Sequence, residues 1–189
     1  SPGGGSDFTA RRIAQGIAGP LGQSVIVDYR GASLLSLEYV LKSPPDGYTL
    51  YVTGSTLWVV PLLRKSPYDA ERDFSPITLT DMSPSIVAVH PSLPVKSIKE
   101  LIALATAKPG ELNYGASSPG SPAFFAGETL KSMTGIKMLN VHYKASGQGV
   151  TALVSGEVQL SITDAVLIMP HVKSGRLRGL AVASEQPSA

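Results

Sequence analysis

The chain has no cysteine among its 189 residues, so neither a disulfide framework nor a thiolate metal site can form. Histidine is scarce too. His90, His142 and His171 lie far apart and lack the H-E-x-x-H type of spacing that ligates a metal. Each reads as an ordinary surface or half-buried side chain, and no metal or cofactor is expected. Charged residues make up only 16% of the chain, with a net charge of +2, and no Lys/Arg cluster interleaves with aromatics. That excludes the footprint of a phosphate-backbone binder, so nucleic acid is not expected as a partner. No apolar run is long enough to span a membrane. No signal peptide stands at the amino end, but a processed exported protein would lack one as well. The chemistry motifs are missing in the same way: no G-x-S-x-G elbow, no G-K-[ST] phosphate loop and no G-x-G-x-x-G after a strand.

What is present is ordinary globular material, 43% hydrophobic, in a length that suits one large domain or two small ones. The opening Ser1-Pro2-Gly3-Gly4-Gly5-Ser6-Asp7 runs into an amphipathic helix marked by Phe8, Ile13, Ile17 and Leu21, with Ser6 or Asp7 as its N-cap. A Gly-rich loop at a helix start presents unpaired N–H groups and the positive end of the helix dipole, which suits an anion. It can also do no more than turn the chain. Ser24–Tyr29 reads as a strand and 34–42 as a helix stopped by Pro44-Pro45-Asp46-Gly47. Tyr48–Thr53 reads as a second strand. Thr53 and Ser55 then fall at the carboxyl end of a strand, where α/β sheets open their pockets. Residues 57–63 form a short helix or turn. The runs 77–80 and 85–89 suggest one long bent strand that leaves one domain and enters another.

The second half repeats a β-loop-α unit. A helix over 98–107 is capped by Ser97, and 112–116 is a strand. The loop Ser117-Ser118-Pro119-Gly120-Ser121 leads into a helix over 123–134, with Ser121 as N-cap and Pro122 at its first position. Strands are expected over 139–143, 158–163 and 177–183, with helices over 147–155 and 170–173. Two Gly/Ser loops, each able to donate several N–H groups, point to a cleft that grips an anion. Asp164, at a strand end, either caps a helix or selects a ligand with a second, hydrogen-bond-donating end. Asp7 divides similarly between a cap and a ligand contact.

Several segments together carry a resemblance: Pro2-Gly3-Gly4-Gly5-Ser6-Asp7 before a helix, Pro45-Asp46-Gly47-Tyr48-Thr49-Leu50, Gly127-Glu128 after Ser121, Val141-His142-Tyr143-Lys144, and 175–182. In this order and spacing the chain resembles the extracytoplasmic solute receptors of tripartite tricarboxylate transporters, often called Bug-type proteins. The resemblance implies a two-lobed α/β fold of the periplasmic-binding-protein kind, closing on its ligand like a flytrap. Its lobes would be 1–81 with a return strand over 180–189, and 82–179. Against the family pattern the chain looks like a fragment lacking the first strand and the C-terminal portion, and its segment at Arg30-Gly31-Ala32-Ser33 is less glycine-rich. The implied function is capture of a small carboxylate in the periplasm by a monomer that delivers it to membrane transporter subunits, without catalysis. The resemblance implies that the two Gly/Ser loops contact the ligand, and with the other polar candidates the ligand-binding residues expected are Gly4, Gly5, Ser6, Asp7, Thr53, Ser55, Ser117, Ser118, Gly120, Ser121, Tyr143 and Asp164. The rival reading is an enzyme, α/β-hydrolase-like or otherwise, acting on a carboxylate; a purely structural domain would bind no small molecule at all.

Overall fold

The computed structural model describes residues 4–30, 33–63, 65–117 and 119–184. The chain divides into two compact units, Ser1–Asp81 and Met82–Ala189.

The first unit holds three helices, α1 (Gly5–Leu21), α2 (Ser33–Leu41) and α3 (Thr56–Leu63). Gly22 ends α1 in the left-handed conformation (φ 62°), and Gln23 N–H returns to Ala18 O in the wrap that Gly at this position permits. Leu37, Leu57 and Tyr68 form the core, with Tyr51 and Phe74 packed on it. The Tyr68 hydroxyl donates to Leu57 O at 2.9 Å, so the buried ring satisfies its polar end locally. The strands expected at 24–29, 48–53 and 77–80 are not formed; among the described residues the first unit contains no strand. Local patterning nevertheless survives. Val25, Val27 and Tyr29 are half-buried, while Ile26 between them is 86% exposed. Period-2 alternation sets which side chains turn inward, but a strand also needs a neighbour to exchange backbone bonds with, and among the described residues no neighbour pairs these segments.

The second unit is a three-layer sandwich. Its sheet contains β1 (Ser85–Val89), β2 (Asn113–Ala116), β3 (Leu139–His142), β4 (Leu160–Asp164) and β5 (Arg178–Val182) in the order β3-β2-β4-β1-β5. β2 runs parallel to β3 and β4, whereas β1 is antiparallel to both β4 and β5. Alternate β1 side chains enter opposite cores. Val87 and Val89 pack with α4 (Ile98–Ala107) and α5 (Pro122–Thr134); Ile86 and Ala88 pack with α6 (Ser146–Ser155) and α7 (Ala165–Lys173). The bent strand expected across 77–89 therefore reduces to β1. Residues 178–182 form β5 of this same sheet and pair with β1. β5 supplies the hydrogen-bonding neighbour that β1 would otherwise lack on that side.

One close approach fixes how α5 lies on the sheet. A Cβ on Gly127 would stand 2.3 Å from the Tyr114 ring, so only glycine admits the fully buried tyrosine. The Tyr114 hydroxyl then donates to Glu128 Oε1 at 2.7 Å, and Lys131 pairs with the same carboxylate at 2.9 Å. The Gly127-Glu128 pair is thus an anchor for packing.

Candidate functional site

The carboxyl ends of β2, β3 and β4 share one edge of the sheet, and each feeds directly into the amino end of a helix. Ala116 leads through the 117–121 loop into α5, His142 leads into α6, and Asp164 leads into α7. In open α/β sheets this is the edge at which ligands bind. The amino end of β1 joins it, because Ser85 pairs with Asp164 and Ala165 N–H donates to Pro84 O at 3.1 Å. Three helix amino ends therefore face one edge. None of these helices has an acidic residue in its first turn. Oriented N–H groups, and not clustered Lys or Arg, supply the positive potential at this edge, beside the Asp164 carboxylate at the α7 cap position.

Ser121 is buried and caps α5, accepting from Phe124 N–H at 3.3 Å. Gly120 reaches φ 90°, which turns the loop into that cap. Ser117 is half-buried, and Ser146 Oγ lies 3.5 Å from Ser117 Oγ. Two hydroxyls, one from the loop before α5 and one from the first residue of α6, thus meet beside the α5 and α6 amino ends. Ser118 lies outside the described residues. At α6 and α7 the N-cap residues, Ala145 and Asp164, make no side-chain capping bond. Asp164 accordingly occupies the cap position of α7 without performing the cap.

Tyr143 is placed differently from the other candidates. Its ring lies over Gly115 and Gly149, and its hydroxyl donates to Glu157 Oε1 at 2.9 Å, in the turn that feeds the amino end of β4. Burial first, and then the Glu157 carboxylate, push its pKa up to about 12. The hydroxyl is spent on Glu157.

In the first unit, Gly4 is the N-cap of α1 with an ordinary extended backbone (φ −95°, ψ 168°), and its carbonyl accepts from Asp7 and Phe8 N–H. Gly5 opens the helix and Ser6 is exposed. The cap expected at Ser6 or Asp7 is therefore displaced by two or three residues, because Gly5 itself joins the helix. Asp7 falls in the first turn, where a carboxylate suits the dipole, and is held by Arg11 at 2.7 Å and by the Tyr29 hydroxyl. Thr53 borders a pocket of about 10 Å³ with Leu37, Tyr51, Leu57, Val60 and Tyr68, room for about one water. Ser55 is exposed ahead of α3, and its carbonyl accepts from Trp58 and Val59 N–H.

Among the described residues, no group of three or more His, Cys, Asp or Glu is placed to hold a metal ion, and no helix is long and apolar enough to cross a membrane. Ser146 and His142 belong to the edge and were missed in the sequence. The signal for Ser146 was available: a hydroxyl residue opening a helix just after a strand, the same pattern that identified Ser121. His142 has no comparable local signal, since only strand pairing brings it beside Ala116.

Residues 9–189 match the family described as tripartite tricarboxylate transporter family receptor. A UPF0065 protein of Bordetella bronchiseptica is 36% identical over 182 residues, covering 94% of this chain and 54% of its own length. Protein BugT of Bordetella pertussis is 32% identical, covering 99% of this chain and 59% of its own. An R. palustris protein solved with adipate is 34% identical with a TM-score of 0.91, over 98% of this chain and 64% of the solved one. The chain thus spans a little over half the length of these curated relatives. The mixed α/β architecture is that of periplasmic binding proteins.

Proposed function

The chain belongs to the tripartite tricarboxylate transporter receptor family, and from that premise we propose that it captures a small carboxylate in the periplasm for a membrane transporter. The observation that carries this reading is the edge where α5, α6 and α7 present their amino ends beside the Ser117 and Ser146 hydroxyls. Such an edge binds a carboxylate through backbone donors and needs no cationic side chain. The adipate held by the R. palustris relative is an acid of the kind such donors suit. In this proposal Ser117, Ser118, Gly120 and Ser121 serve the ligand in the second unit. Gly4, Gly5 and Ser6, at the α1 amino end, are proposed as a donor set of the first unit, and Asp7, Thr53 and Ser55 as polar groups of that unit that serve the ligand. The receptor works as a monomer and turns nothing over.

The enzyme reading finds less support. A Ser–His contact does occur, His90 Nδ1 to Ser92 Oγ at 2.7 Å, but the same nitrogen also faces Ser92 N–H, as in a local turn. At the candidate edge His142 meets the Ser117 carbonyl rather than its hydroxyl. Neither arrangement activates a nucleophile.

Calorimetric and thermal-shift titration of the receptor with adipate and shorter dicarboxylates tests the proposal. At a hundredfold excess over Kd, a true ligand should stabilise the native state by about 2.7 kcal/mol. Saturable binding with the acid recovered unchanged is expected. Turnover of the acid, or no stabilisation by any carboxylate, would reject it.

A further inference from the structure

His142 closes β3 and stands beside Ala116 in the parallel register. β2 and β4 are aligned at Tyr114 and Leu160, so alternation along the strands puts Ala116, His142 and Asp164 on the same face, the one covered by α5. His142 therefore stands level with Ala116 on one side of β2, while Asp164 lies on the other side, two residues farther along β4 than the position level with Ala116. The imidazole is exposed, with its ring 6.1 Å from that of Phe124 in the first turn of α5, the two planes tilted by 31°. Its Nδ1 faces the carbonyl oxygen of Ser117 at 3.5 Å.

That contact sets the chemistry of the other nitrogen. A carbonyl oxygen only accepts, so in the tautomer that makes this contact Nδ1 carries the hydrogen and Nε2 presents a lone pair. The edge then has donors at its centre, the helix N–H groups and the Ser117 and Ser146 hydroxyls, with an acceptor on His142 at one side. A plain dicarboxylate would set an anionic oxygen against an acceptor. A carboxylate bearing a hydroxyl would give each group its complement.

We infer that His142 is a specificity-determining residue of this site, its Nε2 accepting a hydrogen bond from a ligand hydroxyl, so that hydroxy-carboxylates are preferred over their unsubstituted counterparts. The inference rests on the carboxylate-capture reading above and names the ligand class within it.

Two matched pairs of probes isolate the hydroxyl at constant charge: malate against succinate, and 2-hydroxyglutarate against glutarate. Calorimetric titration of the receptor at pH 8 should show the hydroxylated member of at least one pair binding about three- to tenfold more tightly, the worth of one net hydrogen bond. His142→Phe keeps an aromatic ring against Phe124 and removes the acceptor. It should abolish the preference by weakening the hydroxy acid alone, with the unsubstituted acid within twofold and the melting temperature unchanged. His142→Gln, which restores an acceptor oxygen, should recover part of the preference. If His142→Phe leaves the preference intact, or lowers both affinities together with the melting temperature, the assignment is wrong and the residue is structural. Wild-type receptor that binds these acids without preferring the hydroxylated member overturns this inference and leaves carboxylate capture standing. Wild-type receptor that binds none of them, nor adipate, overturns both.

Discussion

Tyr143 and Tyr114 look alike in sequence, each closing or filling a strand of the same sheet, yet their neighbours give them different work. Tyr114 is buried, and its ring presses on the α-carbon of Gly127. Gly127→Ala should force the ring or the helix to move, at a cost of about 1–3 kcal/mol. A lowered urea midpoint with unchanged m-value would show it; an unchanged midpoint would mean that the ring is not held there. Tyr143 donates to Glu157, so Tyr143→Phe should leave carboxylate affinity within twofold while costing about 1 kcal/mol or less. A large loss of affinity would return the hydroxyl to the ligand. Its folded pKa of about 12 stands above the ordinary value of 10. The bond's contribution is therefore intact below pH 10 and fades as pH rises through 12. Stability curves over that range should converge for wild type and Tyr143→Phe at the alkaline end.

At the scale of elements, the two serine caps separate stability from binding. Ser97 Oγ accepts from Glu100 N–H at 3.2 Å and Ser121 Oγ from Phe124 N–H at 3.3 Å, so each Ser→Ala should cost about 1 kcal/mol. Only Ser121→Ala should also weaken carboxylate binding, read by calorimetry; equal affinities in the two variants would remove Ser121 from the site. Both helices were legible down to their caps because Ser-x-x-Glu and Ser-Pro are local signals. For α7 the sequence pattern marks only a short piece over 170–173. Pro170 resembles a helix start, but it lies inside a helix that begins at Ala165. The segments 24–29 and 48–53 were misread in the opposite sense. Their alternation is real, but pairing is a property of two chain segments, and one segment cannot declare it. His142 escaped for the same reason: its neighbours Ser117 and Phe124 come to it through the β2–β3 register and the packing of α5.

For the molecule as a whole, backbone protection should follow these pairings. Amide exchange should be slowest in β1, β2 and β4, each with a strand on both sides, and fast by comparison at 24–30 and 48–53. Slow exchange at 24–30 would mean that those residues pair in solution. The parallel run of β2, β3 and β4 has one more consequence, for the kinetics of encounter. Each crossover returns its helix with the amino end toward the same edge, so α5, α6 and α7 add their fields, roughly half a positive charge apiece, against the single carboxylate of Asp164 at the α7 cap position. The formal charge of the whole chain, +2, is a poor guide to what an approaching anion feels there. Within about 10 Å, the Debye length at 0.1 M salt, the anion meets a focused attraction. Stopped-flow association should slow as ionic strength rises, with dissociation nearly unaffected. The topology of three strands would then set how quickly a dilute acid is found.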